Sequence, residues 1–464
     1  MKKNIIFILS FIFLTSCSFD NKTGIWKDGS KVAVQDISEL EINKSFPVSE
    51  LEDVFPIPEL YQEERIISYD TKIDLDLVVK NNNWLETYLT NGNNIANIFY
   101  KNNHNLVLKS SKLSKFSKSF YEKKKKIIKP LIYNNGLVSF DHKGTIYIYS
   151  TTNKKKIFEY NFYKKKFKKY EKYIYLAVGK EIIYAADNLG YIYALNIAKE
   201  EVIWAKNLGI PFRSNIKITG NYIFLANQDN ILYALNKING EIIWQFSTQP
   251  SFFKSNFLNN LALDDINQNI FFLNTSGELY SLNYNTRNVN WLLNFNKSAQ
   301  SVENQIFQGV PIVTNDKNLI ISNGIQLSNY NLTKNQIEWQ QPISINIKPT
   351  ITKNNIFLVT NNNFLICLKT STGEIVWSRN IIKYIKEIKD RWNLNKVGYL
   401  QDLTIANNQI LLFTSHGYIF SIKYSSGELI GMKKLSKSGF ASIPIFSDGY
   451  LYILDKKYKL LKYE

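Results

Sequence analysis

Two cysteines, three histidines and one Asp-Asp pair are among the residues of this 464-residue chain whose types could do chemistry. Cys17 has the most informative neighbours. It closes the run Leu14-Thr15-Ser16-Cys17, behind Lys2, Lys3 and an apolar stretch from Ile5 to Leu14. That stretch is too short to span a bilayer, and the order of basic, apolar and small residues before a Cys has the form of a lipoprotein leader. Residues 1–16 therefore read as a signal peptide and Cys17 as the lipidated first residue of the mature chain. Ser18 follows rather than Asp, which favours the outer membrane as the address, with acyl chains as the attachment. Cys367 sits in the apolar run "FLICLK", where a buried inert thiol is expected, and no disulfide framework exists. His104, His142 and His416 stand far apart, at no metal-ligand spacing. No HExxH, CxxC, P-loop or GxSxG pattern occurs. Asp264-Asp265 lies in "LDDINQN", a turn between strands. The expectation is a chain with no catalytic site, no metal and no cofactor.

The elements that position these residues are repeated. A short apolar run, a polar turn and an aromatic residue recur at a fixed offset of nine. Leu195 precedes Trp204, Leu235 precedes Trp244, Leu282 precedes Trp291, Tyr330 precedes Trp339 and Leu368 precedes Trp377. Tyr149 to Phe158 and Ile422 to Gly431 keep the spacing in weaker form. A constant offset means a constant hairpin register, because a one-residue slip turns the buried side chains outward. A second apolar run precedes each hairpin, as in "NYIFLANQDN" and "QILLFTSHGY". Pro130, Pro211, Pro311, Pro349 and Pro444 precede upstream strands, where Pro forfeits no ladder donor.

The seven anchors are 46, 40, 47, 48, 38 and 54 residues apart. Units of that length with four short antiparallel strands are propeller blades. Short β-branched and aromatic runs argue against helical repeats. Each Trp is expected to end the outer strand of its blade and pack on a neighbour. A remnant, "DGYLYILDKKYKLLKYE", supplies two middle strands of another blade. The fold expected is all-β, an eight-bladed propeller of four-stranded antiparallel blades over 71–464, with the last blade closed by an N-terminal strand, Thr71–Val79. Residues 17–80 carry 14 acidic and 7 basic side chains, and 17–70 reads as an acidic, mostly irregular tether. Residues 81–464 net +23, with basic clusters at 122–129 and 163–172 that suit a solvated face, anionic lipid or an acidic protein.

The blade phrase resembles that of quinoprotein dehydrogenases, but their vicinal Cys pair and calcium-binding acidic set have no counterpart here. The combination of lipobox, "LVVKNNNWLETYLTNGNN" (77–94), "KPLIYNNGLVSFDHKGTIYIYS" (129–150), Trp-ended repeats, "TSHGYIFSIKYSSGELIG" and "IPIFSDGYLYILD" is more specific. It resembles the BamB family of lipoproteins, subunits of the outer-membrane β-barrel assembly (BAM) machinery. That resemblance implies a periplasm-facing scaffold, monomeric within a hetero-complex, that binds a POTRA domain of BamA and other BAM subunits but neither cofactor nor nucleic acid. It implies contact through inter-blade loops with an apolar–x–apolar–Arg motif. "GIPFRS" offers Ile210, Phe212 and Arg213, and "FFKSNF" offers Phe252, Phe253 and Lys254. The family's acidic contact before a Pro falls on Ile306, Phe307 and Gln308 here, without its charge. The alternatives are another periplasmic binding propeller, for a glycan or protein, and last a quinoprotein oxidoreductase.

Overall fold

The computed structural model describes residues 17–19, 26–28, 61–66, 72–114, 127–163, 167, 169–250, 257–295, 307–388 and 394–464. Two compact units divide at Ile57 and Pro58. In the first, strand Cys17–Phe19 pairs antiparallel with Trp26–Asp28. Among its described residues the second is all-β apart from the short helices Ile381–Ile388 and Leu394–Val397, which occupy the long interval before blade 7.

Eight four-stranded antiparallel sheets form the ring. Their innermost strands follow in chain order: Leu131–Tyr133, Ile174–Gly179, Lys217–Thr219, Asn260–Asp264, Val313–Thr314, Thr350–Thr352, Leu400–Ala406 and Ile445–Ser447. Blades 1 to 7 each run from the axis outwards and return to the next innermost strand. Blade 8 takes its three inner strands from the C-terminal end and its outermost from Leu106–Lys109, which pairs with Leu460–Tyr463. The remnant thus supplies the two middle strands, Tyr450–Leu454 and Leu460–Tyr463, with Ile445–Ser447 before it as the innermost, whereas Thr71–Val79 is not the closing strand. Of that segment, residues 72–78 form no strand and Val79 makes an isolated parallel bridge to Ile98. Pro130, Pro349 and Pro444 stand immediately before innermost strands, whereas Pro211 lies six residues upstream of Lys217.

The fixed offset of nine has a structural cause. In each of blades 1 to 7 the outer hairpin shifts register at the anchor: between Ala194 and Leu195, for instance, so that Leu195 faces Val202 but Ala194 faces Trp204. The same shift recurs at Leu235, Leu282, Tyr330, Leu368, Ile422 and Tyr149. A β-bulge adds one unpaired residue and increases twist, so its repetition fixes both spacing and curvature. Four residues before each aromatic position the turn takes a positive φ, at Lys154, Glu200, Gly240, Arg287, Asn335, Gly373 and Gly427.

The Trp lies inside the outer strand rather than at its end: Trp204 is the fourth residue of Glu201–Asn207. In four of the five Trp-ended hairpins the indole N–H donates to the outer-hairpin turn of the next blade. Trp204 reaches the Lys237 carbonyl at 3.2 Å, Trp244 reaches Tyr284 at 3.1 Å, Trp339 reaches Thr370 at 2.7 Å and Trp377 reaches Tyr424 at 3.1 Å. The indole ring of Trp204, Trp339 or Trp377 lies against Gly240, Gly373 or Gly427 of the following turn. Burial and a directional bond thereby join successive blades.

Candidate functional site

Residues 79–101 are the part of the chain that ties the ring together. Trp84 exchanges backbone hydrogen bonds with Ile132 in blade 1, and Val178 of blade 2 donates to the Leu85 carbonyl. Leu263 donates to Asn91, Thr314 donates to Gly92, and Ile98 donates to Ile405. Asn93, fully buried with φ 60°, uses its amide on the carbonyls of Leu261 and Ile312, both at 3.0 Å. Asn94 donates to Ile351 at 2.9 Å, and Asn81 to the Phe446 carbonyl of blade 8 at 2.7 Å. One buried side-chain link is ionic. Lys217, on the innermost strand of blade 3, lies 2.9 Å from Glu86 Oε1 and donates to the Thr90 carbonyl at 2.7 Å. The segment therefore touches the innermost strand of all eight blades and then continues into the closing strand. Sequence reasoning marked its residues only by resemblance. The cluster of Asn and Gly in "NGNN" was the available signal, since Asn tolerates positive φ and bonds to backbone.

Successive hairpins alternate between the two faces of the ring. On one face lie the turns between the two middle strands together with the loops that enter each blade. A side chain organises these turns. Asp187 Oδ1 accepts from the Leu189 and Tyr191 amides at 2.8 and 2.9 Å. Asn227, Asn274 and Asp455 repeat the arrangement two and four residues ahead.

The first candidate loop is built on that turn. Phe212 is fully buried, bridges Asn227 and packs edge-on to Tyr233 at 6.2 Å. Ile345 bridges Thr360 and Phe440 bridges Asp455 in the same way, so an apolar residue here is a repeated packing position. Ile210 and Arg213 are half-buried beside it. The Arg213 guanidinium donates to the Phe257 carbonyl at 3.3 Å, and Ser214 bridges Asn259. Phe257 meets Phe307 edge-on at 5.2 Å. Arg213, Phe257 and Phe307 therefore link the loops entering blades 3, 4 and 5 into one row. Phe252, Phe253 and Lys254 lie outside the described residues, but Phe257 joins their loop to Arg213. Phe307 is buried over Gly277 and Gly309, and Gln308 beside it is exposed.

The other reactive types are dispersed. Cys17 opens its short strand. Cys367 is fully buried, and burial pushes its thiol well above the usual range. His104 bonds Tyr100 through Nδ1 at 2.9 Å and Ser421 through Nε2 at 3.2 Å, and burial lowers it to about 4. His416 contacts the Lys396 carbonyl at 3.4 Å on a turn, and the His142 carbonyl accepts from the Lys172 amide at 3.0 Å. Asp265 bonds Asn91 and Asp264 caps its own turn through Asn267. Among the described residues no group of three His, Cys, Asp or Glu could hold a metal ion. No described helix is long and apolar enough to cross a membrane.

The crystal structure of BamB from Moraxella catarrhalis matches with a TM-score of 0.57 at 14% identity, over 72% of this chain and 94% of that one. A europium-containing methanol dehydrogenase matches with 0.58 at 11% identity, over 80% and 89%. At those identities the shared property is the propeller fold. Among relatives by sequence, the outer membrane protein assembly factor BamB of Yersinia pestis is 20% identical over 322 residues, 58% of this chain and 79% of its own. BamB of Shewanella oneidensis is 23% identical over 327 residues, 60% and 81%. The sequence profile described as outer membrane protein assembly factor BamB matches residues 135–379, just over half of the chain. With the ring, the bulged Trp hairpins and the profile in agreement, the chain belongs to the BamB family.

Proposed function

We propose that this chain is a non-enzymatic scaffold lipoprotein of the outer-membrane β-barrel assembly machinery. It binds a periplasmic POTRA domain of BamA through inter-blade loops and supports insertion of β-barrel proteins. Membership of the BamB family is the observation that carries this reading. The row Arg213–Phe257–Phe307 gives it a surface, because three loops fixed to one another present a rigid patch at little ordering cost. Arg213 can supply directional bonds to a partner carbonyl or carboxylate, and an exposed partner edge can add backbone bonds. Cys17, acylated, holds the ring on the periplasmic face of the outer membrane, which raises the effective concentration of a membrane-bound partner.

The test is a gentle-detergent pull-down of tagged wild type and Arg213→Glu, read by mass spectrometry. BamA is expected with wild type and depleted with the variant. Absence of BamA from the wild-type eluate refutes the scaffold assignment. Undiminished BamA with the variant moves the contact to the loop of Phe252, Phe253 and Lys254.

A further inference from the structure

A cavity of about 280 Å³ opens between blades 7 and 8. Five lysines line it: Lys109 from the closing strand, Lys434 from the outer strand of blade 7, Lys437 from the loop entering blade 8, and Lys457 and Lys459 from the middle turn of blade 8. The one acid, Asp455, is already committed. Its Oδ1 accepts from the Lys457 and Lys459 amides at 2.9 Å each, and its Oδ2 accepts from the Ser438 hydroxyl at 3.1 Å. Among the described residues no carboxylate lies within 4.0 Å of any of the five ammonium groups. Lys434 rests over the Tyr418 ring at 4.7 Å, a contact that leaves its charge uncompensated. Leu106, Leu435, Leu461 and Tyr463 form the apolar part of the wall.

Three separate segments thus converge like charges on one small space. Such an arrangement raises the local positive potential and attracts an anion. Lysine suits a phosphoryl group as a cluster of point charges. The volume is at the lower edge of small-ligand sites, which fits a headgroup rather than a folded acidic segment. Apolar wall beside lysine matches the boundary between a phosphate ester and its glyceryl chain. We propose that this cleft is a phosphate-ester site whose ligand is the headgroup of an anionic phospholipid. Because Lys109 is on the closing strand, an occupant also bridges the two ends of the ring.

The experiment uses the full chain with Cys17→Ser, so that acylation does not obscure binding. Its co-sedimentation is compared between vesicles of phosphatidylcholine alone and vesicles containing phosphatidylglycerol. The difference between the two removes any contribution from the apolar leader. Glycerol 3-phosphate, inorganic phosphate and polyglutamate are added as competitors. Lys437→Gln with Lys457→Gln is expected to weaken the anionic-lipid difference at least tenfold, and Lys180→Gln with Lys199→Gln, exposed in blade 2, to change it less than twofold. Circular dichroism and the unfolding midpoint establish that each variant is folded, and Lys109→Gln provides an independent single change from the closing strand. Equal weakening by both pairs shows diffuse attraction and overturns the site. Binding of glycerol 3-phosphate or inorganic phosphate without a vesicle difference overturns the lipid as its source. Displacement by polyglutamate but by neither phosphate overturns the phosphate class in favour of an acidic protein.

Discussion

Removing the Lys217 ammonium should loosen the segment that ties the blades together. Lys217 and Glu86 have side chains 1% and 11% exposed, and their charged atoms are 2.9 Å apart. Burial raises the Glu86 carboxyl and lowers the Lys217 ammonium, in each case outweighing their mutual attraction. A pair in that condition contributes little net stability, yet breaking it leaves a buried charge alone. Lys217→Met should therefore cost about 3–5 kcal/mol at neutral pH, and Glu86→Gln with Lys217→Met at least about 2 kcal/mol less than the single change. The sign with pH follows from the orphaned carboxyl. Its folded-state pKa lies above the unfolded value, so folding takes up a proton and the deficit shrinks as pH falls below that folded value. Guanidinium unfolding at pH 5 and pH 8 gives the energies. Protease cleavage or amide exchange across 79–101 shows whether that segment opens first. A single-variant cost below about 1 kcal/mol, with additive behaviour in the double variant, would refute the reasoning. The hold on the segment would then reside in its backbone bonds and those of its Asn side chains.

The turn slot before each Trp predicts opposite effects in different blades. At Gly373, φ is +72° and an added Cβ would lie 2.6 Å from Trp339, so Gly373→Ala should cost about 2 kcal/mol or more by thermal unfolding. At Glu200, φ is 55°, and Glu200→Gly should be neutral or stabilising by up to about 1 kcal/mol. Trp339→Phe removes the bond to Thr370 and should cost about 1–2 kcal/mol; blade 1 carries a buried Phe158 at the equivalent position. Asp402 gives a pH signature: burial raises its carboxyl to about 7, against the pull of Lys348, the Thr404 hydroxyl and Lys129. A raised folded value stabilises fully below the unfolded one and loses that contribution as pH rises through about 7. Wild type should therefore lose stability relative to Asp402→Asn between pH 5 and pH 8, by at most about 4 kcal/mol, when unfolding midpoints are compared.

The number and boundaries of the blades were legible because one covalent regularity, the nine-residue offset, reports one bulged hairpin. The closing strand was not. Thr71–Val79 alternates like a strand, yet Leu77 is 84% exposed and Val79 59%, while Ile73 and Leu75 pack on blades 6 and 7. Leu106–Lys109 buries a single side chain, Leu108, and is selected by the unpaired backbone edge of Leu460–Tyr463. Local pattern carries no information about an edge that far along the chain.

The loop motif mixes residues of different kinds. An apolar–x–apolar–Arg string treats Ile210, Phe212 and Arg213 as equals, but the bridge that Phe212 makes to Asn227 is the one Ile345 makes to Thr360 and Phe440 to Asp455. One of the three residues therefore belongs to the repeat and would be present without any partner. Phe212→Ala would open a cavity in blade 3 costing about 3–5 kcal/mol, so loss of binding in that variant would say nothing about contact. Arg213 is different: its guanidinium bonds a carbonyl of the neighbouring loop while remaining half-exposed, so charge reversal there perturbs the surface with the turn beneath it intact. The residue that can test the interface is the one the blade architecture does not require.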